Sequence, residues 1–136
     1  MPKEERLHSK KLIEQLFSNT GSKALTAFPV RAVFLTIERE AQVMPPVMMM
    51  VSVSKRHFKH AVDRNRVKRQ LREAFRLNKQ MLSLPEKTHA DIAFVWLDDK
   101  HYDTRQVEKR VRKLLVRINE SSVQEETKAM LSEEKT

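Results

Sequence analysis

Between residues 64 and 76 the chain sets six cations in close succession, Arg64, Arg66, Lys68, Arg69, Arg72 and Arg76, with the amide of Asn65 among them. No glycine or proline interrupts residues 61–80, so the stretch predicts one long helix. On a helical wheel with Arg64 at zero, Lys68 falls at about 40°, Arg72 at about 80° and Asn65 at about 100°. Arg76 and Arg69 follow at about 120° and about 140°. Val67, Leu71, Ala74 and Phe75 occupy the adjoining arc, from roughly 280° to 20°. One face is therefore apolar and its neighbour basic. Arg66, at about 200°, stands off the strip; it can meet a different segment of a polyanion or anchor the helix start.

This arrangement is unfavourable for an isolated helix. Arg64/Lys68, Lys68/Arg72 and Arg72/Arg76 are like charges at i, i+4, each costing a few tenths of a kcal/mol. Within the stretch only Glu73 softens the repulsion. A row of phosphates removes it and releases counterions. Arginine outnumbers lysine five to one here, and its fork suits bidentate phosphate contacts and stacking on bases. The amide of Asn65 can donate and accept, so it suits a 2′-hydroxyl, a base edge or a cap at the helix start. The plain alternative is a solvated basic face.

The approach to this helix, Ser52 to His60, adds Lys55 and Arg56 at a strand-to-helix junction. Backbone N–H groups at a helix start favour anions, so a phosphate could sit there. His57 and His60 have metal-ligand spacing without a third ligand nearby, and no metal site is expected. Asp98-Asp99 is a carboxylate pair in a turn, a position that uses Asp freely. There is no cysteine nucleophile and no glycine-rich phosphate loop. The chain has the residues to bind and position a polyanion and no set that performs catalysis itself.

The formal net charge is +9, and residues 121–136, with four Glu and two Lys, oppose it. A domain this basic meets RNA, DNA or an anionic membrane surface, or carries its charge for solubility. The lack of cysteine excludes disulfides and Cys-based metal sites and suits a reducing cytoplasm. The charged start, Met1-Pro2-Lys3-Glu4-Glu5, has no apolar segment behind it and is not expected to be a signal peptide. The most apolar stretch, Val43 to Val53, is far short of the ~20 residues a spanning helix needs, so no membrane partner is expected.

These residues need a frame. Leu12, Ile13, Leu16 and Phe17 mark a short helix over 8–18, ended near Gly21. Strands are predicted over 29–38 and 90–97, with a weaker one over 23–28. The Val- and Met-rich run from Val47 to Ser54 reads as a central strand. Glu38 to Pro46 reads as a loop, and Pro85 breaks the chain after the basic helix. Asp103 or Thr104 caps a last helix, with Gln106 completing a capping box. Its stripe Val107, Val111, Leu114, Leu115 and Ile118 stops at Asn119. The expected domain is 1–119, followed by an acidic, disordered tail over 120–136. The order is α-β-β-β-α-β-α, an α+β fold built as a two-layer sandwich.

Val51-Ser52-Val53-Ser54-Lys55-Arg56, Ala61-Val62-Asp63-Arg64-Asn65-Arg66-Val67-Lys68-Arg69 and Leu71-Arg72-Glu73-Ala74-Phe75-Arg76 together resemble the signature of the protein subunit of bacterial ribonuclease P. Arg6-Leu7, Phe17 and Tyr102 extend the likeness over residues 6–118. The resemblance implies a sandwich similar to a domain of ribosomal proteins, with a left-handed β-α-β crossover against the usual rule. It implies a ribonucleoprotein that removes the 5′ leader of precursor tRNA, in the cytoplasm, with no obligate protein partner evident. Its RNA subunit would supply the catalytic core and hold most of the Mg²⁺. Carried over by position, Lys55, Arg56, Arg64, Asn65, Arg66, Lys68, Arg69 and Arg72 would face the ribonuclease P RNA, with Arg76 extending the strip. A cleft between the first helix and the sheet would take the leader, lined by Ile13, Phe17 and Phe34.

Two departures from the family pattern stand out. Ile13 occupies a place where members often carry a second Phe. Val47-Met48-Met49-Met50 replaces an Arg-x-Gly run, which removes a cation and a position of close backbone approach. Phe34 reads equally as cleft or core. Trp96 and Phe94 read as core. A structural, ribosomal-type RNA-binding protein without a part in cleavage is the alternative that the basic helix alone leaves open, beside a DNA-binding or membrane-surface protein.

Overall fold

A computed structural model describes residues 22–38, 47–84 and 88–134, less the side chains of residues 37, 38 and 122–134. The predicted first helix over 8–18 and most of the predicted loop before Val47 lie outside these residues. Strands β1 (Lys23–Ala27) and β2 (Val30–Glu38) form an antiparallel hairpin through Phe28 and Pro29. Strand β4 (Thr88–Trp96) pairs antiparallel with β2, and β3 (Val47–Ser52) pairs parallel with β4. The sheet order is β1-β2-β4-β3.

Strand β3 is thus an edge strand, which corrects its reading as a central one. Its side chains explain the misreading. Met49 and Val51 face the helices, whereas Met48 and Met50 pack on the other face with Leu35 and Ala93. An unbroken apolar run reports burial of both faces, not the number of neighbouring strands. The strand keeps a regular register, Val47↔Ala90 to Ser52↔Val95, without the Arg-x-Gly run.

Helix α1 (Ala61–Asn78) and helix α2 (Thr104–Glu134) cover one face of the sheet. A 3₁₀ turn, Lys79–Met81, follows α1. Val67, Leu71, Ala74 and Phe75 of α1 and Val107, Val111, Leu114, Leu115 and Ile118 of α2 are buried against Ala90, Ile92, Phe94 and Trp96. These are the apolar positions that periodicity selects, and the result is the expected two-layer α+β fold. Phe75 and Phe94 meet at 5.9 Å between ring centroids, and Trp96 sets its ring edge-on to Tyr102.

Helix α2 opens with the predicted capping box. Gln106 N–H donates to Asp103 Oδ1 at 2.8 Å, and Asp103 N–H donates to Gln106 Oε1 at 3.2 Å. It does not stop at Asn119. The backbone remains helical to Glu134, past the end of the apolar stripe. The apolar stripe ends where packing ends, but Glu, Gln, Lys, Ala, Met and Leu continue as good helix formers with no Gly or Pro among them. No helix among the described residues is long and apolar enough to cross a membrane.

Polar side chains lock the layers. Arg110 Nε donates to Phe28 O at 2.9 Å, and Arg117 donates to Thr26 O at 3.0 Å, so α2 covers carbonyls at the exposed edge of β1. Asn119 accepts from Ser83 N–H at 2.8 Å and donates to Met81 O at 2.6 Å, fixing the chain that leaves the 3₁₀ turn. Asn78, buried, donates to Ala74 O and to Glu108 Oε1. Asp103→Ala is expected to lower the unfolding free energy by about 1 kcal/mol, because it strips the acceptor from an orphan helix N–H. A denaturant melt of the purified protein checks it.

Candidate nucleic-acid interface

The two parallel strands β3 and β4 end side by side, and each delivers its chain to a helix. The loop after β3 is a tight turn. Ser54 Oγ accepts from Arg56 N–H at 3.0 Å, and Ser54 O accepts from the N–H groups of His57 and Phe58. This turn leaves Lys55 and Arg56 exposed at its tip and buries Phe58 behind them. Arg64 closes the turn from within α1: its guanidinium donates to Phe58 O at 2.9 Å and Lys59 O at 3.0 Å.

A second loop, between β4 and α2, braces the first. His57 Nδ1 meets Asp99 Oδ1 at 2.7 Å. In the opposite direction, His101 Nε2 meets Asp63 Oδ1 of α1 at 3.0 Å. His101 also stacks on Phe58 with centroids 4.6 Å apart, and Gln70 donates to Tyr102 O at 2.9 Å. Asp98 accepts from Tyr102 Oη and from Asp99 N–H, both at 2.7 Å. His57 is therefore a junction residue, and both carboxylates of the Asp98-Asp99 turn are engaged in holding the loop. Among the described residues no three His, Asp or Glu side chains gather as metal ligands.

The basic strip of α1 lies on the solvent side of this braced junction. Asn65, Arg66 and Arg69 are exposed, while Lys68 and Arg72 are half-buried along their stems. Asn65 sits in the second turn, so it is not the cap of the helix start; His60 takes that place, without a side-chain cap. No carboxylate pairs with Lys55, Arg56, Lys68 or Arg69 among the described residues. Arg76 differs: it grips both oxygens of Glu73, with Nε to Oε2 at 3.1 Å. That hydrogen bond holds the Glu73 carboxyl below its ordinary range, so the end of the strip is locally neutralised. The six candidate cations of the helix thus divide into a loop staple (Arg64), an ion-paired end (Arg76) and four others.

The candidate cleft residues separate as well. Ile13 and Phe17 lie outside the described residues. Phe34 is 3% exposed and belongs to the core beneath the helices, which corrects its placement in the cleft. The reason is register: Val30, Ala32 and Phe34 share one face of β2, whereas Arg31, Val33 and Leu35 take the other. On that other face Val33, Met48 and Met50 surround Leu35 and Ala93. The same face holds a buried pair, His89 Nε2 to Asp91 Oδ1 at 2.7 Å. Alternation in β2 could have found this face. The brace among His57, Asp63, Asp99 and His101 carried no such signal, since its partners are 38 and 42 residues apart.

The hydroxyl of Tyr102 is the main reason the Asp98 carboxyl titrates below its ordinary value. A depressed folded-state value contributes stability above the unfolded value and loses it as pH falls through the folded one. Tyr102→Phe is therefore expected to move the Asp98 midpoint upward and to bring loop loosening to a higher pH. Carboxyl-detected NMR titration measures the shift.

A family model described as Ribonuclease P matches residues 1–119. The ribonuclease P protein component of Porphyromonas gingivalis (strain ATCC 33277) is 42% identical over 122 residues, covering 87% of this chain and 85% of that protein. That of Idiomarina loihiensis is 38% identical over 80 residues, 59% of each chain. Among solved structures, the RNase P protein of Thermotoga maritima superposes with a TM-score of 0.65 at 23% identity, over 83% of this chain and 96% of that one. The Staphylococcus aureus RNase P protein gives 0.63 at 18% identity, over 84% and 94%. At those identities the structures show the fold. The family match and the sequence relatives carry the rest: this chain belongs to the ribonuclease P protein family, as a subunit of the tRNA 5′-processing ribonucleoprotein whose partner is the ribonuclease P RNA.

Proposed function

We propose that the α1 strip, with Lys55 and Arg56, lies on the ribonuclease P RNA while the sheet face opposite the helices receives the single-stranded 5′ leader of precursor tRNA. The observation that carries this reading is the group Lys55, Arg56, Lys68 and Arg69, solvent-facing and without a carboxylate partner among the described residues, beside a helix face whose Val67, Leu71, Ala74 and Phe75 are buried. Such a strip suits a line of phosphates. A single strand stacks its bases on apolar or aromatic side chains while cations track its backbone. Val33, Met48 and Met50, half-exposed, offer that apolar surface, and Arg31 lies exposed on the same face. Ile13 and Phe17 are the candidates that would join them.

The chain's part in the hydrolysis of one phosphodiester is positioning and charge compensation. Two polyanions, catalytic RNA and precursor, repel each other; a basic protein between them lowers that cost and raises occupancy of Mg²⁺ at RNA-held sites. The place of action is the cytoplasm. The test is cleavage of precursor tRNA by ribonuclease P RNA at low Mg²⁺, with and without the protein. Stimulation is expected. No stimulation would favour a structural, ribosomal-type role.

Lys68→Ala with Arg69→Ala is expected to flatten the dependence of log affinity on log salt by roughly 1.4–1.8, since each lost phosphate contact removes about 0.7–0.9 from the slope. A salt series of filter-binding isotherms measures it. Arg64→Ala should show a further change, faster amide exchange at residues 58–60, because that side chain also staples the turn. Trimming the precursor to a leaderless tRNA should remove the part of the affinity gained from the sheet face. An equal gain with leader and without it would sink the leader assignment.

A further inference from the structure

Helix α2 carries a second concentration of charge that the α1 strip does not absorb. Between Thr104 and Ile118 it holds six cations, Arg105, Lys109, Arg110, Arg112, Lys113 and Arg117, against a single carboxylate, Glu108. Arg110 and Arg117 are occupied in sealing the β1 edge. The other four are exposed, and among the described residues none of them forms an ion pair. With Arg105 at zero on the wheel, Arg112, Lys109 and Lys113 fall at about 340°, 40° and 80°. That quadrant lies outside the buried stripe, Leu114, Val107, Ile118, Val111 and Leu115, at about 180° to 280°. Arg105/Lys109 and Lys109/Lys113 repeat the like-charge i, i+4 spacing of the α1 strip and carry the same penalty.

Three of these cations converge. Arg105, Lys109 and Arg112 line an open depression of about 430 Å³ together with Glu108. Glu108 is drawn to the α1 side by Asn78, whose Nδ2 donates to its Oε1 at 3.2 Å. The depression therefore opens at the flank where α2 meets α1. On α1, Asp63 and Gln70 reach His101 and Tyr102 at the approach to α2. On the α1 wheel these two stand at about 260° and 240°, and Arg66, at about 200°, shares their side. The basic strip, from about 0° to 140°, is on the other side of the helix.

The geometry points to a second phosphate-binding surface, formed by Arg105, Lys109 and Arg112 and flanked by Arg66, that takes an RNA segment other than the one on the α1 strip. It rests on the RNA-binding reading above and gives Arg66 a role distinct from that of Arg64. The two surfaces diverge from α1, so one chain bridges two stretches of phosphate backbone. The occupant is the phosphate backbone of the ribonuclease P RNA, the partner that membership of the family gives this chain.

The chain contains no cysteine, so Lys109→Cys and Arg69→Cys each give one attachment point for an iron–EDTA radical source. In the particle reconstituted with ribonuclease P RNA and precursor tRNA, position 109 is expected to cut RNA at nucleotides that position 69 does not cut. These cuts are expected in the ribonuclease P RNA; cuts from position 109 in the precursor alone would overturn the assignment. Cuts from position 69 alone would overturn the second surface and leave the first standing; cuts from neither would overturn both. In parallel, the Arg105→Ala, Lys109→Ala, Arg112→Ala variant is expected to lose roughly 2.1–2.7 from the salt slope at an unchanged melting temperature. Arg105→Lys with Arg112→Lys, which conserves charge, should retain the slope. An unchanged slope in the alanine variant overturns the proposal.

Discussion

A helix that displays more cations than its own carboxylates can balance is held in place by its apolar side. Three like-charge pairs along α1 cost on the order of 1 kcal/mol together. Burial of Leu71 and Phe75 alone offsets this, at about 1.5–3 kcal/mol each, and Val67 and Ala74 add to it. Packing wins by a margin large enough that the repulsion need not be relieved within the chain. The strip is therefore maintained in the free protein, ready for a polyanion, and the ordering of the helix does not have to be supplied at the moment of binding. The sheet order serves this constraint. It sets β3 and β4 side by side and parallel, so both loops emerge at one end and can brace the helix start.

The brace uses charge differently from the strip. His57 with Asp99, and His101 with Asp63, run in opposite directions between the two loops, and Phe58 on His101 fills the space between them. Two polar pairs plus one stack fix a turn whose tip, Lys55 and Arg56, has no packing of its own. Arg64 completes the closure by occupying the carbonyls of residues 58 and 59, which would otherwise face away from any donor in the turn. A motif residue that sequence places among the RNA contacts thus also builds the loop that presents two others.

The elements were legible where one period dominated. Both helices and strands β2 and β4 follow from their apolar spacing, and Asp103 with Gln106 announces the start of α2. What was hidden depends on partners far away in the chain. Phe34 alternates correctly but alternation does not say which face the helices choose; Val30 and Ala32, fully buried on its side, decide that. The edge position of β3 was masked because Met48 and Met50, packed on Leu35 and Ala93, make the second face apolar as well. The continuation of α2 past Asn119 carries no amphipathic signal, because amphipathicity reports packing and this polar, glutamate-rich run is made of good helix formers.

The arginines show most clearly why residue type is a weaker guide than surroundings. Arg110 and Arg117 cap the carbonyls of Phe28 and Thr26, Arg64 staples a turn, Arg76 is joined to Glu73, and, on the helical side, Arg56, Arg66, Arg69, Arg105 and Arg112 stand exposed. All raise the net charge equally, yet only the last group offers a whole guanidinium fork to a ligand. An arginine whose donors already meet carbonyls contributes long-range attraction without a directional contact. The formal charge of +9 therefore describes how strongly the chain is drawn to RNA, while the smaller set of unengaged forks determines where it docks. That set lies on two sides of α1. The same helix that the sheet fixes by its apolar face separates the two basic surfaces on either side of it.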